Sequence, residues 1–157
     1  MDIRNNEYKQ FLKALYENHV KYLLVGGFAV NAHGYIRGTL DLDIWIDKSE
    51  KNLQLFNDAL QALDFAQENV KKAIEMLQTG NNVDVILNEN FKIDVIQLYS
   101  TKISFDEAFQ KAEKLNVADF IVPLFDYDTL IISKISSGRE RDLLDVSELK
   151  KIKGKEE

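Results

Sequence analysis

Apolar residues recur every three to four positions along several parts of the chain, the spacing that predicts amphipathic helices. The predicted helices span 4–18, 50–63, 68–77, 105–115, 127–138 and 141–152. Short β-rich runs lie between them: YLLVGG, DLDIWID, VDVIL, FKIDVIQL and FIVPL. The run KIKGKEE at the end of the chain is predicted to be frayed.

This order of elements predicts an α+β fold with a mixed β-sheet. A helix, a strand, a short helix and a second strand come first, and a β-hairpin follows later. Such an order favours helices packed on one face of the sheet and a cleft on the other. The 157 residues are predicted to form one domain, with a core at about 20–125 and a C-terminal helical part at 126–152.

Composition excludes several classes of protein. The chain has no cysteine, which rules out disulfides and zinc–thiolate sites. A hydrophobic content of 45% with one proline is ordinary for a globular protein. A net charge of −6 argues against general coating of nucleic acid. No run is apolar enough to suggest a signal peptide or a membrane span, so a cytoplasmic protein without membrane association is expected.

Two aspartates alternate with apolar residues in DLDIWID. If this run is a strand, Leu42 and Ile44 point to one face, and Asp41 and Asp43 project from the other. Two carboxylates this close repel each other, and Mg²⁺, which takes oxygen ligands, removes the conflict. A solvent-facing acidic strand is the alternative interpretation.

A third aspartate, Asp94, lies among β-branched residues in the run FKIDVIQL. Its burial would be costly unless the carboxylate reaches a cleft or a partner. If this strand neighbours DLDIWID, Asp94 completes a site of three carboxylates.

Gly26 and Gly27 directly follow an apolar strand and precede a short helix-like stretch. Glycine lets the backbone approach an anion, and a helix N-terminus offers free N–H groups. These two features predict a loop that binds a triphosphate. A simple tight turn is the alternative.

Together these features resemble the nucleotidyltransferase superfamily that includes DNA polymerase beta and the tRNA CCA-adding enzymes. Its signature is read here as LLVGGFAVNAHGYIRGTLDLDIWID followed by KIDVI. The R-x-T-x-D-x-D form, made by Arg37, Thr39, Asp41 and Asp43, is similar to minimal bacterial members that resemble the toxins of AbiE-type abortive-infection systems.

The resemblance covers roughly residues 20 to 150 and extends into KISSGRERDLLDVSEL. That segment looks like the closing motif of the same group, here Lys134 followed by Arg141, Asp142 and Asp145. Without the resemblance, it would be interpreted as an ordinary charged amphipathic helix.

The resemblance implies transfer of a nucleoside monophosphate from an NTP, such as ATP, to a hydroxyl with release of pyrophosphate. Two Mg²⁺ ions, or Mn²⁺ in their place, would be held by the catalytic residues Asp41, Asp43 and Asp94. Nucleotide binding would involve Gly26, Gly27, Arg37, Thr39, Lys134 and Asp145. The acceptor stays open between tRNA, protein and small molecule, and candidate partners are an antitoxin or a second copy of the chain.

Two other classes of function compete with this one. A phosphatase of the haloacid dehalogenase type also has a D-x-D strand, but Trp45 stands where that family has Thr or Val, and that family lacks an upstream Gly-Gly strand. A catalytically silent nucleotide- or partner-binding module, such as a toxin–antitoxin component, is the stronger alternative. Trp45 fits base stacking or core packing equally well, and Asp84 is expected to face solvent.

Overall fold

The computed structural model describes residues 5–39, 41–97 and 102–156. Outside these ranges lie four residues that belong to predicted elements or motifs: Arg4, Leu40, Leu98 and Glu157. The described part contains seven helices and six strands: α1 (Asn6–Glu17), β1 (Tyr22–Val25), α2 (Gly26–Ala32), β2 (Leu42–Ile46), α3 (Glu50–Ala62), α4 (Gln67–Gln78), β3 (Val83–Ile86), β4 (Lys92–Ile96), α5 (Phe105–Gln110), β5 (Glu113–Val117), β6 (Phe120–Leu124), α6 (Tyr127–Ser137) and α7 (Glu140–Glu156).

The strands form one mixed sheet in the order β3-β4-β2-β1-β6-β5. Pairing is parallel for β2 with β4 and for β1 with β6, and antiparallel for β1 with β2, β3 with β4 and β5 with β6. The predicted α+β class with a mixed sheet is therefore confirmed.

Helices cover both faces of this sheet. On one face, Leu42, Ile44 and Ile46 of β2 join a core that includes apolar residues of α1, α3 and α4. On the other face, Trp45 and its neighbours in β1 join a second cluster with apolar residues of α2, α5, α6 and α7. Helices were expected on one face only. The helices on the second face, the face of Trp45, do not cover the part where Asp43 lines a cavity.

The segment after α5 differs from the sequence prediction. A helix was expected over 105–115, but α5 ends at Gln110 and β5 begins at Glu113. The reason is tertiary, because β5 pairs with β6 along its whole length in an antiparallel hairpin. The end of the chain also differs: α7 continues to Glu156 where fraying was expected.

Among the described helices, none combines the length and apolar character that a membrane crossing requires.

Candidate active site

Three aspartates from three neighbouring strands stand in one row. Asp43 of β2 lies opposite Asp94 of β4, and Asp94 lies opposite Asp84 of β3. Side chains directly opposite each other on paired strands share a face and are close enough to interact. The strand pairing therefore brings Asp43 and Asp94 together, as the sequence interpretation required, and it adds Asp84.

Asp41 joins these carboxylates from the residue before β2. The ammonium of Lys92 lies 3.2 Å from Asp94 Oδ1 and 3.8 Å from Asp41 Oδ2. It also lies 3.7 Å from Asp84 Oδ2. The carboxylates of Asp41 and Asp94 therefore meet at a common cation supplied by the protein itself.

Burial raises the pKa of Asp43 to about 7, and a hydrogen bond and negative charge from Asp94 and the charge of Asp41 contribute. For Asp94, burial acts in the same direction, but hydrogen bonds from Asp43, Asp84 and Lys92 outweigh it and lower its pKa. The Asp43–Asp94 pair therefore holds one proton in mildly acidic solution and loses it as the pH passes about 7, and the raised pKa places that proton on Asp43.

The donor set of this site fits a hard divalent cation. Asp41, Asp43 and Asp94 offer only oxygen atoms, the ligands that Mg²⁺ prefers. Burial and the neighbouring carboxylates raise the pKa of Asp43, and a divalent cation beside it would favour the ionised form. In the described ranges, no three Asp, Glu, His or Cys side chains already form a complete metal cluster. The carboxylates are therefore close together, but their side chains would have to rearrange around an ion when it binds.

Gly26 and Gly27 are packed against residues of this site. Gly26 has a φ of +67°, and a Cβ there would collide with the Asp43 carboxylate. A Cβ on Gly27 would lie 2.5 Å from Thr39 Oγ1 and 3.3 Å from Arg37 Nη1. The glycines therefore allow Asp43 and Thr39 to approach the start of α2, in addition to their predicted role in admitting phosphate.

The Gly26→Ala variant should be clearly less stable than a matched control, Gly138→Ala. Both glycines have nearly the same positive φ, +67° and +66°, but a Cβ at Gly138 meets nothing within 4 Å. The control should lose about 1–2 kcal/mol of unfolding free energy from backbone strain alone. Gly26→Ala should lose more, because Asp43 must also move. If urea denaturation shows equal losses of unfolding free energy for the two variants, a Cβ at position 26 does not clash with Asp43.

A buried network of charges from α6, α7 and Arg37 adjoins the same site. Lys134 Nζ lies 2.9 Å from Asp142 Oδ1 and 3.0 Å from Asp145 Oδ2. Arg37 donates from Nε and Nη2 to the two oxygens of Asp145, at 2.7 and 2.9 Å. Asp145 is fully buried. It therefore holds Arg37 and Lys134 in place, and these two cations link the D-x-D region to α6 and α7.

Asp142 is the second carboxylate of this network. Burial raises its pKa, but hydrogen bonds from Lys134, Ser137 and Arg139 and the charge of Lys134 outweigh burial and lower it. Asp142 is therefore ionised and neutralises part of the charge of Lys134 and Arg139.

Two arginines near the start of α7 also reach the site. The side chain of Arg139 is 78% exposed, although its Nε lies 2.9 Å from Asp142 Oδ2. Arg141 donates from Nη2 to the backbone oxygen of Gly38 at 3.0 Å. Neither Arg139 nor Arg141 was predicted from the sequence to bind nucleotide. The available signal was the run of Arg139, Glu140 and Arg141, because it directly follows the helix-ending Gly138 and places two cations two residues apart.

These residues line one polar cavity of about 470 Å³. This volume lies within the range of about 300–1,000 Å³ typical of small-molecule sites. Its lining comprises Gly26, Gly27, Arg37, Thr39, Asp41, Asp43, Asp94, Ile96, Lys134, Arg139, Arg141 and Asp142. Every predicted site residue lines the cavity except Asp145, which binds two of the residues that do.

Trp45 belongs to the core. It is 5% exposed, and its indole Nε1 donates to the backbone oxygen of Gln97 at 2.7 Å. Its ring packs edge to face against Phe105 and Phe125. Of the two interpretations of Trp45, core packing is therefore the one that its position supports.

The stability of the metal-free protein should fall as pH rises from about 5 to 7. Below its folded pKa of about 7, Asp43 keeps its proton. In the unfolded chain the same carboxyl ionises near 3.9, so over this range the folded state binds more protons and loses stability as pH rises. Melting temperatures measured in chelator should show this slope, and Asp43→Asn should reduce it. An unchanged slope in the variant would contradict the assignment of the proton to Asp43.

No protein-family model matches this sequence, and no characterised protein matches it at a significant level.

Proposed function

We propose that this protein is a metal-dependent nucleotidyltransferase that moves a nucleoside monophosphate from an NTP to a hydroxyl acceptor and releases pyrophosphate. The observation that carries the proposal is the convergence of Asp41, Asp43 and Asp94 with the Gly26-Gly27 turn in one cavity. Acidic groups for cations and a glycine turn for phosphates are the two parts that binding of a metal–triphosphate requires.

Asp41, Asp43 and Asp94 are the residues that would hold two Mg²⁺ ions, with Mn²⁺ as a substitute. Such ions, when bound, lower the pKa of an attacking hydroxyl and neutralise charge on a leaving pyrophosphate. Asp43 must release its proton before it can act as a full ligand, because its pKa in the metal-free protein is about 7. The pKa of Asp94 is lowered and its carboxylate is partly exposed, so it is already ionised at neutral pH and is the candidate to accept the proton of a hydroxyl that the metal has made more acidic.

Four cationic side chains that line the cavity could bind the triphosphate: Arg37, Lys134, Arg139 and Arg141. Arg139 and Arg141 present exposed guanidinium groups, which bind phosphate oxygens well. Lys134 and Arg37 are already paired with Asp142 and Asp145. They therefore contribute a fixed, partly neutralised positive region, and the two outer arginines supply the more available charge.

The proposed partners follow from the reaction. An NTP, ATP included, is the donor, and a hydroxyl of tRNA, protein or a small molecule is the acceptor. We place the protein in the cytoplasm, where NTPs and these acceptors occur, and an antitoxin or a second copy of the chain is a candidate binding partner.

A nucleotide- or partner-binding module without catalysis is the second candidate. The observation that favours it is the position of Lys92, which already neutralises Asp41 and Asp94. In such a module the ammonium would stay in place, and metal would not be needed for nucleotide binding.

Binding of ATP in the presence and absence of Mg²⁺ tests the proposal. A ligand that binds only the folded state raises the melting temperature. Mg²⁺ with ATP should therefore stabilise the wild type, and Asp43→Asn should remove most of that shift. Asp119→Asn is the matched control, because its side chain is 72% exposed and its ion-pair partner is Lys13, outside the cavity. Stabilisation by ATP in chelator, equal in wild type and Asp43→Asn, would favour the binding module instead.

A further inference from the structure

Lys92 stands where a cation for the carboxylates is needed. It is the first residue of β4, two residues before Asp94, and residues two apart on a strand point to the same face. Its ammonium contacts Asp94 at 3.2 Å, Asp84 at 3.7 Å and Asp41 at 3.8 Å. A single lysine therefore forms ion pairs with three carboxylates, two of which are proposed metal ligands.

We propose that Lys92 is a built-in counter-cation that competes with the divalent ion, so that metal enters between Asp41 and Asp94 only by displacing the Lys92 ammonium. The inference rests on the proposed function, because it uses the same metal site. An ammonium and a divalent ion repel each other at these distances. The oxygens of Asp41 and Asp94 that face the ammonium are also no longer free for the ion.

The displaced ammonium has an alternative partner beside it. Asp84 lies on the edge strand β3, its side chain is 59% exposed, and it is already 3.7 Å from Lys92 Nζ. The Lys92 side chain is itself 36% exposed. A small rotation of a long, accessible side chain toward Asp84 would therefore free the Asp41 and Asp94 oxygens without moving the backbone.

Competition of this kind would make the site selective for metal that arrives with nucleotide. A free divalent ion must overcome the positive charge of Lys92 with no compensation. A metal–NTP complex brings negative phosphate charge that offsets the repulsion. Lys92 would thus act as a positioning residue that keeps the carboxylates gathered before loading and weakens binding of metal alone.

The test is the affinity of the full-length protein for Mn²⁺ alone, measured by calorimetry or by the electron paramagnetic resonance signal of free Mn²⁺. Lys92→Met should bind Mn²⁺ about tenfold more tightly than wild type, because one competing positive charge is gone. Lys92→Arg should retain the competition. Lys13→Met is the matched control, because Lys13 forms an exposed pair with Asp119, outside the cavity.

Folding is checked separately. Lys92→Met should melt at a lower temperature than wild type without metal, because three carboxylates lose their cation, and Mn²⁺ should restore more stability than in wild type. Circular dichroism confirms that the variant is folded, and Lys92→Gln provides a second neutral side chain.

The outcomes separate the two proposals. Tighter Mn²⁺ binding by Lys92→Met and Lys92→Gln, with Lys13→Met unchanged, supports the competition. Wild-type binding of Mn²⁺ with equal or weaker binding by the folded Lys92 variants would overturn this inference and leave the proposed function standing. Absence of Mn²⁺ and Mn²⁺–ATP binding in wild type and variants would overturn both.

Discussion

Asp94→Asn should remain folded, with somewhat lower stability than the wild type, and lose nucleotidyl transfer by several orders of magnitude. Asn has nearly the same shape as Asp and keeps one side-chain oxygen as an acceptor, so the fold should survive, but the variant loses the charge that Asp43, Asp84 and Lys92 stabilise. Transfer depends on negative ligands around the reacting groups. A thousandfold loss of rate corresponds to about 4 kcal/mol of transition-state stabilisation, a reasonable size for loss of one ligand.

Two measurements on Asp94→Asn separate catalysis from folding. The first is the melting temperature without metal, which should be moderately below that of wild type because Asp94 loses its charged contact with Lys92. The second is the transfer rate, for which Asp84→Asn is the matched control, because Asp84 shares the row but lies on the exposed edge strand. If Asp94→Asn and Asp84→Asn lose the same modest fraction of activity, Asp94 has no special part in the reaction.

Lys134→Met should destabilise the protein by about 3 kcal/mol, the lower end of the loss expected when one partner of a buried ion pair is removed. The side chain of Lys134 is 6% exposed, and those of its partners Asp142 and Asp145 are 5% and 1% exposed. Without the ammonium, two buried carboxylates face each other with less compensation. Chemical denaturation measures the effect directly.

The control for this variant is Lys151→Met. Lys151 pairs with Glu148 at 3.2 Å on α7, but its side chain is 65% exposed. Its loss should change stability by less than about 1 kcal/mol, as is usual for surface pairs. Adding Asp142→Asn to Lys134→Met should recover part of the lost stability. A double variant that is as unstable as Lys134→Met alone would show that packing, not uncompensated charge, causes the loss.

The D-x-D strand was predictable because one of its faces packs in the hydrophobic core and the other carries the aspartates that face the cavity. Leu42 and Ile44 alternate with Asp43 in sequence, and in the fold they enter the core while Asp43 faces the cavity. Local alternation is sufficient to assign such a strand. Asp94 was predictable for the same reason, since apolar residues flank it in β4.

Contacts between distant parts of the chain were less accessible to sequence reasoning. Arg37 and Asp145 are 108 residues apart, and only the packing of α7 against the D-x-D region explains their bidentate pairing. The strand β5 was missed because the helical pattern before it continues without a break. Pairing with β6 decided its conformation.

Lys92 and Asp84 were missed for a different reason. Each looks like an ordinary charge at a strand; Asp84 was expected to face solvent, and its side chain is indeed 59% exposed, but its place beside Asp94 was not expected. Alternation along β4 already puts Lys92 on the face of Asp94, but only the pairing of β3 and β2 with β4 brings Asp84 beside Asp94 and Asp41 beside Lys92. A register is set by the whole sheet, so it was not visible in either strand alone.

The central claim is tested most directly by following the α- and γ-phosphates of each NTP with separate labels. Wild-type protein is incubated with Mg²⁺, the labelled NTP, and total RNA, cell extract protein or small-molecule extract as acceptor. The account predicts that the α-label, and not the γ-label, becomes attached to one class of acceptor, and that Asp94→Asn attaches neither. Attachment of the γ-label, or tight NTP binding with no transfer to any acceptor, would contradict it.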